Sequence, residues 1–195
     1  MNRLLISIFL LVGQTIFYSC NVPHDREIIC EQNFRQARNL AYKSPTDFSA
    51  LDSALDIVNR SMLCDSIKVA VIDFKIRLLL QLRKYEQGYK FIDSLHSSDF
   101  TFPYKKAMYQ DNFSALNFAS KGDTISSDKV YSKMAADLED YILNNVLKSN
   151  EFQEAFTELS SFQKISEDSL KLLSLIDSLK TKYPNEEHFL NFFKQ

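Results

Sequence analysis

From residue 26 to the end of the chain, apolar residues recur three and four positions apart. That is the spacing of one face of a helix, not the strict alternation of a strand. Phe48, Leu51, Leu55, Val58 and Met62 line one such face. Phe152, Ala155, Phe156, Leu159 and Phe162 line another, and Leu170, Leu173, Ile176 and Leu179 a third. Helix-start signals fall between the runs. Ser44-Pro45-Thr46-Asp47 opens one helix and Asp65 or Ser66 another; Pro103 suits a first helical turn, where its missing N–H costs nothing. Ser166 stands before Glu167-Asp168, and Asn185 before Glu186-Glu187, which puts acids at helix N-termini. The pattern predicts an all-α fold of stacked antiparallel hairpins. Nine helices are expected near 26–43, 47–62, 66–83, 85–97, 103–120, 127–148, 151–164, 167–182 and 185–194.

The stretch 66–83 is apolar nearly all round. At 100° per residue its polar side chains form two narrow stripes: Lys68 with Lys75, and on the far side Asp73, Arg77 and Gln81. A helix with two apolar flanks is held between neighbours, as a stacked array requires.

Composition fits this reading and removes several functions. The chain has 195 residues, 45% hydrophobic and 25% charged, with a formal net charge of −2. Its basic residues are scattered and form no basic stripe, so nucleic acid is not the expected partner. Of three glycines, Gly13 lies near the N-terminus, leaving Gly88 and Gly122 for the rest. Phosphate-cradling and dinucleotide loops need several glycines close together; neither is present.

Residues 1–20 form a leader-like segment. Arg3 and the amino terminus give a small positive region, and Leu4 to Val12 an apolar run of signal-peptide length. Gln14 and Thr15 interrupt it well short of the ~20 apolar residues that span a bilayer. Ser19-Cys20 then resembles the lipobox of bacterial lipoproteins, although Phe17 and Tyr18 stand where a Leu and a small residue are usual. The resemblance implies a signal peptide at 1–19, lipidation of Cys20 with palmitate-type chains, a short tether at 20–25 and a helical domain at 26–195. Asn21, rather than Asp, follows the cysteine, which by the same resemblance favours the outer membrane within the cell envelope.

A longer periodicity lies over the helices. Tyr85, Gly88, Ile92 and Leu95 are spaced three, four, three; so are Phe48, Leu51, Leu55 and Val58, and Phe152, Ala155, Leu159 and Phe162. Ile76, Leu79 and Leu80 precede Tyr85 at the offsets by which Leu143, Val146 and Leu147 precede Phe152. Tyr85 and Phe152 are 67 residues apart. Over about 45–165 this resembles the tetratricopeptide repeat, a helix–turn–helix of about 34 residues, whose second helix begins with an aromatic and carries a small residue for close packing. Leu51 at the small position of the first unit, and the unbroken stretch 127–148, depart from it. The resemblance implies that Asp73, Arg77 and Gln81, and likewise Asp140, Asn144 and Lys148 at the same i, i+4, i+8 spacing, face a groove that takes a peptide or protein.

Cys30 falls near the start of the first predicted helix and Cys64 just past the end of the second. In an antiparallel hairpin those ends meet, and an exported chain is in an oxidising compartment, so Cys30 and Cys64 are a candidate disulfide. Catalytic chemistry is not indicated. His24, His96 and His188 are far apart, with no second ligand at metal spacing. Adjacent acids such as Glu139-Asp140 and Glu186-Glu187 point different ways on a helix, and no Gly-x-Ser-x-Gly elbow exists. No cofactor or metal is expected. The aromatic tail His188-Phe189-Leu190-Asn191-Phe192-Phe193 either caps the array or offers an apolar patch. The expected function is therefore that of a lipid-anchored, non-enzymatic scaffold or adaptor with an envelope protein or peptide as partner. A glycan- or small-ligand-binding lipoprotein, which exposed tyrosines in a pocket would favour, and an immunity-type lipoprotein are the alternatives.

Overall fold

In the computed structural model, residues 22–61, 65–165 and 169–194 are described, with backbone alone at 22–26, 163–165 and 169–171. The expectations for residues 1–21, Met62, Cys64, the Ser166 helix start and the side chains of His24 and Leu170 lie outside the described residues. The described chain is all-α, without strands. Its helices are α1 (Val22–Lys43), α2 (Phe48–Ser61), α3 (Lys68–Gln81), α4 (Tyr85–Asp93), α5 (Lys105–Ser120), α6 (Thr124–Asn144), α7 (Ser149–Ile165), α8 (Ser169–Lys182) and α9 (Glu187–Phe192). Short 3₁₀ turns at Ser97–Asp99 and Pro184–Glu186 precede α5 and α9. Consecutive helices pack on one another within two compact units, one ending at Arg83 and one beginning at Lys84.

In the first unit, α2 packs against both α1 and α3. Asp47 starts α2 by accepting the Ser49 backbone N–H at 2.9 Å, which satisfies a donor the helix cannot. Leu51, Leu55 and Val58 are buried as their spacing predicts, whereas Phe48 at the helix start is 55% exposed. Phe34 of α1 meets Phe74 of α3 edge-on, ring centroids 5.7 Å apart. Six residues of α3 are buried, among them Val71, Ile72 and Leu78, and burial pushes the Lys75 amine below its ordinary value. The apolar girth of this helix is therefore used as core.

In the second unit, α4 packs on α5, α5 on α6 and α6 on α7. Phe152, Ala155, Phe156 and Leu159 are wholly buried, and Phe162 nearly so. Tyr183 stacks on Phe152 at 4.2 Å. The aromatic tail acts as a cap: Leu190 is buried, and Phe189 and Phe193 pack against the same core. Phe192 projects outward, 71% exposed.

Two helices end earlier than their apolar pattern suggests, for the same physical reason. The last carbonyls of a helix have no partner of their own and favour a cation. Lys106 donates to the carbonyls of Asp93 and Leu95, closing α4 at Asp93 instead of near residue 97. Lys182 donates to the carbonyls of Ile142, Leu143 and Asn145 at 2.9, 2.6 and 2.7 Å. Tyr183 adds its hydroxyl to Ile142 and Asn145. The α6 helix therefore stops at Asn144, Asn145 turns to extended backbone, and Val146 stands 96% exposed.

Both remaining glycines have work to do. Gly122 takes a left-handed conformation, φ 82°, ending α5 while the Asp123 N–H reaches back to the Phe118 carbonyl in the manner of a Schellman cap. Asp123 then caps α6 through the Ser126 N–H, and hydrogen bonding to Ser126, its side chain foremost and its N–H second, holds the Asp123 carboxyl below the ordinary range. Gly88 is a close-approach position: a Cβ there would overlap the ring of Phe113, itself wholly buried. Ala is the better helix former by about 1 kcal/mol, but overpacking a core costs about 1–3 kcal/mol. Gly88→Ala is thus expected to lower stability in urea denaturation followed by far-UV circular dichroism. Adding Phe113→Leu, which vacates the space, should recover part of the loss; a stabilised single variant would refute the close packing.

Candidate functional site

The first predicted stripe meets residues that its own helix does not supply. Phe34, Arg38 and Tyr42 run along α1, and Asp73, Phe74 and Arg77 along α3. Together with Ala70 they line an open cleft of about 210 Å³. The Arg38 guanidinium lies 5.7 Å from both the Phe34 and Tyr42 ring centroids. Tyr42 is 60% exposed and Arg77 is exposed, while Asp73 is half-buried. Gln81 sits exposed on the same helix but does not line the cleft. Arg38 and Tyr42 were not singled out by sequence, although a signal existed: Phe34, Arg38 and Tyr42 repeat the i, i+4, i+8 spacing of Asp73, Arg77 and Gln81.

The second stripe does not hold together. Asn144 donates to Asp140 at 2.6 Å along exposed α6. Lys148 is not on that helix at all. It stands in the α6–α7 connection, where its carbonyl receives the Phe152 N–H at 2.8 Å as α7 begins. The expected i+8 register fails because Lys182 and Tyr183 terminate α6 one turn earlier.

A further cleft lies between α4 and α5, about 460 Å³ in volume. Tyr85 and Tyr89 form one wall. Lys90 and Lys121 flank it, Ser114 and Asn117 face it, and Phe113 lies at its base. Lys90 donates to Glu86 at 2.7 Å, and this bond, with a smaller contribution from Lys121, holds the Glu86 carboxyl below its ordinary range.

Several polar side chains of α5, α6 and α7 and of the turn before α5 pair with one another. Lys105, 4% exposed, is paired with Glu154 and lies 5.7 Å from the Phe102 ring centroid. Tyr141 donates to Glu151 at 2.6 Å. Burial foremost, then Glu158 for Tyr104 and Glu151 for Tyr141, raises both phenols above their ordinary values. Lys133 bridges Asp111 of α5 and Asp137 of α6 at 2.8 and 2.7 Å, which raises its amine. These contacts join neighbouring helices of the second unit.

Among the described residues no three His, Cys, Asp or Glu side chains are placed to hold a metal. No described helix is long and apolar enough to cross a membrane. Cys30 is disulfide-bonded and 5% exposed. The chain matches no protein-family model, no curated protein and no solved structure.

Proposed function

We propose that the chain is a lipid-anchored protein of the cell envelope, held by Cys20, whose helical domain binds a protein or peptide partner as a scaffold or adaptor. One observation carries the binding part: the α1–α3 cleft gathers Arg38, Tyr42, Asp73 and Arg77 at one open surface. Arginine and tyrosine are the residues in which binding energy at protein interfaces concentrates. An extended segment with an acidic side chain suits two guanidinium groups, since Arg grips a carboxylate with two parallel hydrogen bonds. The membrane part rests on the resemblance of Ser19-Cys20 to a lipobox.

The test is a crosslinked pull-down from membranes, comparing the wild-type chain with a variant carrying Asp73→Ala, Arg77→Ala and Gln81→Ala, and with Arg38→Ala. A single protein retained by the wild type and lost by the folded variants is the expected outcome. Cys20→Ser should move the protein from the membrane to the soluble fraction without altering the domain's circular dichroism. No enriched protein would remove the adaptor reading. An unchanged membrane fraction for Cys20→Ser would remove the lipid anchor.

A further inference from the structure

The α4–α5 cleft differs in kind from the one on α1 and α3. Its volume of about 460 Å³ falls in the roughly 300–1,000 Å³ range of small-ligand sites, and about 210 Å³ does not. Tyr85 and Tyr89 stand one helical turn apart, so both rings lie on one side of α4. Tyr89 is 41% exposed. A core tyrosine would hide its ring; here an apolar face is offered to whatever enters. Polar groups surround that face: the Asn117 amide and Ser114 hydroxyl from α5, and two ammonium groups, Lys90 and Lys121, against one carboxylate, Glu86.

We infer that this cleft binds an acidic sugar. A sugar ring has an apolar C–H face that lies flat on a tyrosine ring, and hydroxyls that exchange hydrogen bonds with amide, hydroxyl and carboxylate groups at its edge. A ring carrying a carboxylate uses the positive excess of the rim, where Lys90 and Lys121 outnumber Glu86. Two tyrosines one helical turn apart on a short wall fit one or two rings. A purely acidic peptide such as an oligoglutamate would use the charge but has no flat C–H face to lay on the tyrosine rings. The site shares no residue with the α1–α3 cleft, so either reading can fail without the other.

The full chain is to be screened on an array carrying neutral oligosaccharides beside oligosaccharides with uronic, sialic or muramic acid residues. Retention of at least one acidic glycan above its neutral counterpart is expected. The best acidic hit is then titrated calorimetrically against the wild type, Tyr89→Ala, and the exposed double variant Lys90→Gln/Lys121→Gln. Each should bind at least tenfold more weakly, with unchanged circular dichroism, and the methyl ester of the same glycan should bind like the lysine variant. If no acidic glycan is retained, if neutral and acidic forms bind alike, or if hexaglutamate displaces the glycan at equal concentration, the inference is overturned. Should Tyr89→Ala not fold, the lysine variant and the methyl ester decide it alone.

Discussion

Phe152→Ala is expected to cost about 3–5 kcal/mol, the range for truncating a large aromatic in a packed core. Phe152 is wholly buried and sits at the junction of three elements. Tyr183 stacks on it at 4.2 Å from the end of α8, Phe156 follows one turn along α7, and Phe189 meets it edge-on at 6.1 Å from α9. Its loss leaves a cavity and unseats Tyr183, whose hydroxyl helps close α6. The damage should therefore spread beyond one helix. With no tryptophan in the chain, near-UV circular dichroism of tyrosine and urea titration are the readouts, and the tyrosine signal should fall with stability. Phe192→Ala is the control. That ring is 71% exposed, and surface changes rarely exceed about 0.5 kcal/mol. Equal losses from the two variants would mean the tail does not cap the core as described.

The contrast between those two phenylalanines shows where the sequence is legible. Phe152, Ala155, Leu159 and Phe162 declare their burial by spacing, because a helix repeats its face every three to four residues. Phe192 lies within an apolar run too short to show a period, and only the packing of Leu190, Phe189 and Phe193 leaves it outside. Helix starts were readable where a side chain caps its own helix, as Asp47 does. The ends of α4 and α6 were not, since Lys106 and Lys182 come from other helices, 11 and 40 residues away from a carbonyl they hold. That distance also takes Lys148 off the α6 helix and out of the i, i+4, i+8 register with Asp140 and Asn144. Half of the α1–α3 cleft was legible in Asp73 and Arg77. The other half, Arg38 and Tyr42, shares the same i, i+4, i+8 spacing, but joining the two stripes into one cleft needs the knowledge that α1 lies beside α3.

Loss of the Cys30 disulfide should be the second large effect, about 3–4 kcal/mol on the chain-entropy model if the bridge closes a loop of roughly 35 residues. Cys30 is disulfide-bonded, and its pairing with Cys64 is the reading we put forward. Ser66 donates a hydrogen bond to Glu27, so the chain just past Cys64 returns to within a turn of Cys30 on α1. The same α1–α2 contact that builds the first unit would be tied at its open end. Cys30→Ser, Cys64→Ser and the double variant should then lose stability equally, because either single change removes the whole bridge. A reductant should bring the wild type down to the same level and leave the variants unchanged. Peptide mapping of exported, non-reduced protein should recover the two cysteine peptides joined. If both thiols alkylate freely, the pairing is wrong. If Cys30 is instead joined to Cys20, the consequence is wider: a sulfur that carries a lipid cannot also close a disulfide, so the membrane anchor proposed at Cys20 would fall with it.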